Sequence, residues 1–122
     1  MLSRSNFLAY KDLPREEVQV PALGGSVFVR TLSAGEWDQF ETVNVKVKGK
    51  DFRARIVVAT ACDESGVDIF RVEDLAPLSK LAKTALDPIV EAALRINALT
   101  EKANEDGEKN SGSAPTTASV GG

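Results

Sequence analysis

Among the groups that could do chemistry in this 122-residue chain are 18 acidic side chains, 15 lysines and arginines, and a single cysteine, Cys62; histidine is absent. That inventory removes most catalytic mechanisms at once. Histidine is the commonest general base, and serine or cysteine nucleophiles usually lean on it. One cysteine and no histidine also leave the usual zinc and transition-metal donor sets incomplete. Catalysis by paired carboxylates or by a lysine nucleophile survives the count, yet no acidic pair is singled out by its surroundings. Asp12, Glu16 and Glu17 flank the start of an apolar alternation and read as solubilising charge. Cys62 closes an apolar run and reads as a small buried side chain. No catalytic residue, metal or cofactor is expected.

Three short stretches resemble binding motifs, and the first two fail on spacing. "LGGS" (Leu23–Ser26) lacks the G-x-x-x-x-G-K pattern of a phosphate loop and precedes a strand where a helix is needed. "DESGVD" (Asp63–Asp68) is too short for a calcium loop and has no glutamate in register to close the shell. The third is a basic cluster, Lys46, Lys48, Lys50, Arg53 and Arg55, with Asp51 the one acid among them. It would suit phosphate or an acidic partner, but a solvated face is the commoner outcome. Nucleic-acid domains carry a larger basic excess and stacking aromatics.

The elements that must position these residues are clearer than the residues' chemistry. Val18 and Val20 alternate up to Pro21, which cannot donate a ladder hydrogen bond. After "LGG", Val27, Val29 and Thr31 alternate with Phe28 and Arg30, so 17–20 and 27–32 form a hairpin across a Gly-Gly turn. Ser33 followed by Glu36 is a capping box that starts a helix over 33–42, with Trp37 and Phe40 on one face. "TVNVKVKGK" (Thr42–Lys50) alternates strictly and predicts a strand with its lysines in solvent or guarding an edge, a loop being the competing reading. Phe52–Cys62 has the spacing of a largely buried helix, Asp63–Gly66 that of a turn, and an extended piece ends at Ile69 and Phe70. Residues 73–97 are helical in composition. Within them Asp87-Pro88 has the form of an N-cap and first-turn proline restarting a helix over 89–96, so that either two helices abut there or one helix kinks, with Ile89, Val90, Ala93 and Leu94 inward. Trp37, Phe40, Phe52 and Ile56 are expected to share one core, while Met1–Asn6 reads as loose, anchored by Phe7, Leu8 and Tyr10.

The fold class is therefore α+β: a small antiparallel hairpin or sheet in the N-terminal half, packed by three to four helices. It forms one domain over 1–100, followed by a disordered polar tail over 101–122 that has Val120 as its only large apolar residue. A net charge of −3 implies no bulk attraction to nucleic acid or anionic membrane. The longest apolar run, Ile56–Cys62, is far too short to span a bilayer, and no leader pattern opens the chain. A cytoplasmic location is expected.

The order of motifs resembles a family. "LSRSNFLAYKDLP", the hairpin "VQVPALGGSVFVRTLS", "EWDQFE", the helix "FRARIV" with "DESG" after it, and the closing "AALRINALT" are together similar to the tail assembly chaperones of long-tailed bacteriophages and prophages, over roughly residues 1–100. The resemblance is a distributed pattern with no invariant catalytic motif. It implies a non-enzymatic protein of the host bacterial cytoplasm, absent from the mature virion. Such proteins bind the long helical tape measure protein and keep it soluble while tube subunits polymerise around it. In many of these phages a frameshifted, longer form recruits the major tail tube protein, and self-association is left open. By this reading Leu78, Leu81, Ile89 and Leu94 exceed what so small a core needs and offer a face to an apolar partner helix. Pro77 and Pro88 argue against a single long binding helix. The competing reading is a nucleic-acid-associated or regulatory binding protein working through the 46–55 cluster.

Overall fold

The computed structural model describes residues 1–97, so the polar tail 101–122 and the end of the expected domain lie outside the described residues. In chain order the elements are helix α1 (Arg4–Ala9), strand β1 (Arg15–Val20), a 3-10 turn (Pro21–Leu23), strand β2 (Gly25–Arg30), helices α2 (Ala34–Lys46) and α3 (Phe52–Thr60), strand β3 (Ala61–Cys62), a second 3-10 turn (Val72–Asp74), and helices α4 (Leu75–Ser79) and α5 (Lys83–Ile96). The strands form one antiparallel sheet in the order β1-β2-β3, and the class is α+β.

The hairpin forms where the alternation predicts it, but its turn differs. Pro21 opens a 3-10 turn instead of ending in a two-residue Gly-Gly loop, and Gly24 closes it at φ 72°, donating to the carbonyls of Val20 and Pro21 at 3.1 Å each. A side chain at that angle is strained. This turn lets Val20 pair with Gly25, so the ladder runs Arg15↔Arg30 through Val20↔Gly25 rather than 17–20 with 27–32. Val18, Val20 and Val29 point into the core.

The capping box starts α2 as expected: Ser33 Oγ accepts from the Glu36 N–H at 3.1 Å, and Glu36 Oε1 accepts from the Ser33 N–H at 2.9 Å. The expected strand over Thr42–Lys50 does not exist. The helix capped at Ser33 runs on to Lys46, because Phe40 and Val43 also fit a helical stripe and Arg55 holds its end through Asn44 and the Lys50 carbonyl. Val45 is left 78% exposed. A tight turn follows, with Lys48, Gly49 and Asp51 at φ 56°, 77° and 57°.

Helix α3 is central and buries Ala54, Ile56, Val57 and Thr60. It ends two residues before the expected Cys62. Thr60 Oγ1 donates back to the Ile56 carbonyl at 2.7 Å, and Ala61 and Cys62 leave the helix to pair with Val29 and Phe28. The Asp63–Gly66 turn is closed by the Asp63 carboxylate, which accepts from the Ser65 and Val67 N–H groups at 2.8 and 3.0 Å. Cys62 then bridges to Asp68.

Helix α5 passes through Pro88 without a restart. Its apolar face, Ala85, Leu86, Ile89, Val90 and Ala93, is buried on both sides of the proline, and that burial holds the helix together across the missing N–H. Asp87 does not cap. It accepts instead from Arg53 at 2.9 Å and Lys83 at 2.8 Å, tying α5 to α3. The core lies between the sheet and the pair α3–α5. Phe40 and Ile56 belong to it, and Trp37 and Phe52 pack against it part-buried. Trp37 stacks on Phe40 with centroids 5.2 Å apart, and Phe40 meets Phe52 edge-on at 5.7 Å.

Candidate functional site

Of the four side chains expected to form an apolar partner face, two are core. Leu78 and Ile89 are 8% and 5% exposed, held between α3, α4 and α5, and Leu94 is half-buried against the same cluster. Only Leu81, in the turn between α4 and α5, stands substantially in solvent at 43%. The four therefore do not form one exposed face. So small a core uses almost every large apolar side chain that its longest helix supplies.

The basic cluster is likewise divided. Lys46, Lys48 and Lys50 are exposed on the end of α2 and the turn after it. Arg53 is taken by Asp87. Arg55 is structural: it lies over the Phe40 ring at 5.3 Å, donates to the Lys50 carbonyl at 2.8 Å and bonds the Asn44 side chain, fastening the end of α2 to α3. Of the five cations only the three lysines are left in solvent, on the end of α2 and the turn after it.

The most connected polar group was not singled out by the sequence. Arg30, 8% exposed, donates from both terminal nitrogens to the two oxygens of Glu36 at 3.0 Å, and from Nε to Asp68 at 3.0 Å. It thereby joins β2, the start of α2 and the segment after β3. Its hydrogen bonds and those of Ser33 hold the Glu36 carboxyl down at about 2, and the carboxylates push the Arg30 guanidinium well above its usual range. A second bidentate pair, Arg95 with Glu16 at 2.9 and 2.6 Å, links α5 to β1 and lowers the Glu16 carboxyl. Asp87 is lowered by Lys83 and Arg53. Burial pushes the Cys62 thiol up, away from the thiolate form. Each carboxylate with a displaced pKa is thus held ionised, the opposite of a general acid poised near neutrality. Among the described residues no three Cys, Asp or Glu side chains gather as a metal site, and no helix is long and apolar enough to cross a membrane.

Two apolar surfaces lie uncovered instead. One is α1, where Leu2, Phe7, Leu8 and Tyr10 are 69%, 68%, 56% and 70% exposed. Ser3 and Asn6 cap this helix reciprocally, a signal present in the sequence as "SRSN". It did not anchor to the core as expected. The other is an open groove of about 300 Å³ between α2, α3 and the start of α4, lined by Phe40, Val43, Val58, Ala59, Val72 and Leu75. Its parts come from three separated stretches, so no local pattern reveals it.

This is an α+β protein with two uncovered apolar surfaces and ion pairs that tie its elements together. The chain matches no family model and no curated protein. Among solved structures it is similar to the tail assembly chaperone of bacteriophage HK97, at a TM-score of 0.57 and 19% identity, over 75% of this chain and 89% of that one. At that identity the likeness is one of fold.

Proposed function

We infer that this chain is a non-enzymatic tail assembly chaperone of a long-tailed bacteriophage or prophage. It works in the host bacterial cytoplasm, where it binds the tape measure protein and keeps it soluble during tube assembly. The observation that carries the reading is the shared fold with the HK97 chaperone, which coincides with the residue pattern that independently resembles that family. The chemistry of the side chains agrees with it. Displaced carboxylates are ion-paired and charged, and the one thiol is buried.

A helical client with apolar side chains needs an apolar contact that does not compete with the core. From the C-terminal set, Leu81 meets that condition, with Leu94 contributing its exposed part. Co-expression with the neighbouring tape measure protein is expected to move that protein from the pellet to the soluble fraction, and moderate salt is expected to leave the complex intact. Leu81→Asp should lose the solubilisation while keeping the wild-type melting temperature. A tape measure protein that stays insoluble beside the wild-type chain overturns the assignment. Full solubilisation by Leu81→Asp overturns the site.

A further inference from the structure

We propose that the cleft beside Leu81 takes an acidic apolar segment of a partner protein, one large apolar side chain with aspartate or glutamate within a helical turn of it. The inference rests on the reading of Leu81 as a client contact and adds the chemistry of the client. The cleft is open, about 300 Å³, and lies between the turn after α2 and the turn that joins α4 to α5. Leu81 stands in its lining at 43% exposed, together with the part-buried Phe52 and the buried Leu86. An apolar group laid there covers hydrocarbon that water wets in the single chain.

Charge narrows the partner. Lys50 falls between Gly49 and Asp51, Lys80 falls between Ser79 and Leu81, and all four neighbours line the cleft. Both lysines are exposed, and neither enters an ion pair among the described residues. Arg53 and Lys83, themselves in the lining, share the single carboxylate of Asp87 at 2.9 and 2.8 Å. Asp51 is the other acid at this place. Four cations thus meet two carboxylates, on a chain whose net charge is −3. The first turns of α3 and α5 open on the same cleft without a side-chain cap, and their N–H groups add to the positive sign. Such a surface repels a basic segment and draws an acidic one. Complementarity of this kind acts on encounter rate and choice of partner more than on the strength of the finished contact. The apolar anchor therefore keeps the complex together in moderate salt, while the lysines select what arrives.

The test is binding of the full chain to immobilised short peptides that tile the neighbouring tape measure protein, read as association and dissociation rates. The variants are Leu81→Asp and the pair Lys50→Glu with Lys80→Glu. All three side chains are exposed, so these proteins should keep the wild-type melting temperature, and Lys50→Gln with Lys80→Gln repeats the pair without reversing charge. The peptides that bind should be acidic around a large apolar residue. Changing their acids to Gln or Asn should slow association about tenfold and leave dissociation nearly unchanged, and the Lys→Glu pair should do the same. The Lys→Gln pair should fall between that pair and wild type, and Leu81→Asp should abolish binding. The inference is overturned if the bound peptides are neutral or basic, if the charge-reversed pair associates like wild type, or if wild type binds no peptide while still solubilising the whole client. Retention on heparin that the charge-reversed pair abolishes also overturns it, since the surface would then serve a polyanion. A client that stays insoluble beside the wild-type chain is a separate failure, that of the reading on which the inference rests.

Discussion

Arg30 and Glu36 show how one pair of side chains serves two levels of structure. Glu36 is the third helical residue of a capping box, and its carboxylate also receives the forked guanidinium of a strand residue, so the start of α2 is fixed to the sheet. Arg30→Met would leave the Glu36 and Asp68 carboxylates without their partner. The expected loss is about 2–3 kcal/mol, since hydrogen bonds to charged groups are stronger than neutral ones while both carboxylates keep partial access to water. The pH dependence has a definite sign. Glu36 is lowered from 4.5 to about 2, so its pairing stabilises the fold above pH 4.5 and that contribution is lost as the pH falls through about 2. Urea midpoints across this window should drop less steeply for Glu36→Gln than for wild type. A residual slope should persist from Glu16 and Asp87, whose carboxyls are also lowered. Equal slopes for the two proteins would remove Glu36 from this role.

At the scale of elements, α5 carries the largest conflict between local and tertiary preference. Proline within a helix removes a backbone hydrogen bond and crowds the preceding turn, at about 3 kcal/mol. Pro88 sits there nonetheless, between Leu86 and Ile89, which are both buried. Pro88→Ala restores the donor without disturbing that face, and part of the gain is offset by the freer unfolded chain. Stabilisation of about 1–2 kcal/mol is expected by chemical denaturation. Destabilisation instead would mean that the proline ring supplies packing the helix needs. Helix α2 carries the converse lesson. Its last turn has a strand-like sequence, and it stays helical because a strong cap nucleates it and Arg55 holds its end.

For the whole molecule, the spread of charge decides between the two kinds of partner. Net charge is −3, Arg53 and Arg55 are engaged within the fold, and the cluster's three exposed lysines lie on the end of α2 and the turn after it. Phosphate recognition draws its affinity from many released counterions. The chain is therefore expected to flow through a heparin column at physiological salt, and Lys46→Ala, Lys48→Ala and Lys50→Ala together should change nothing in that profile. Retention with a steep salt dependence, lost in the triple variant, would instead favour the nucleic-acid reading of the 46–55 cluster.

What the sequence determined by itself was whatever rests on contacts close along the chain. The Ser33–Glu36 cap, the valine alternation of the hairpin, the helical stripe of α3 and the Asp63–Gly66 turn each depend on neighbours within a few residues, and each is found where those residues lie. The tertiary structure decided what depended on distant partners. Val43, Val45 and Val47 alternate as a strand would, yet the helix capped at Ser33 runs through Lys46 with Arg55 holding its end, and Val45 is left in solvent. Ala61 and Cys62 continue a helical run, and β2 drew them into the sheet. Burial likewise separated Leu78 and Ile89 from Leu81, and it brought Phe40, Val58 and Val72 together as one groove. A side chain's type is local, but whether it faces water is set by the elements packed around it.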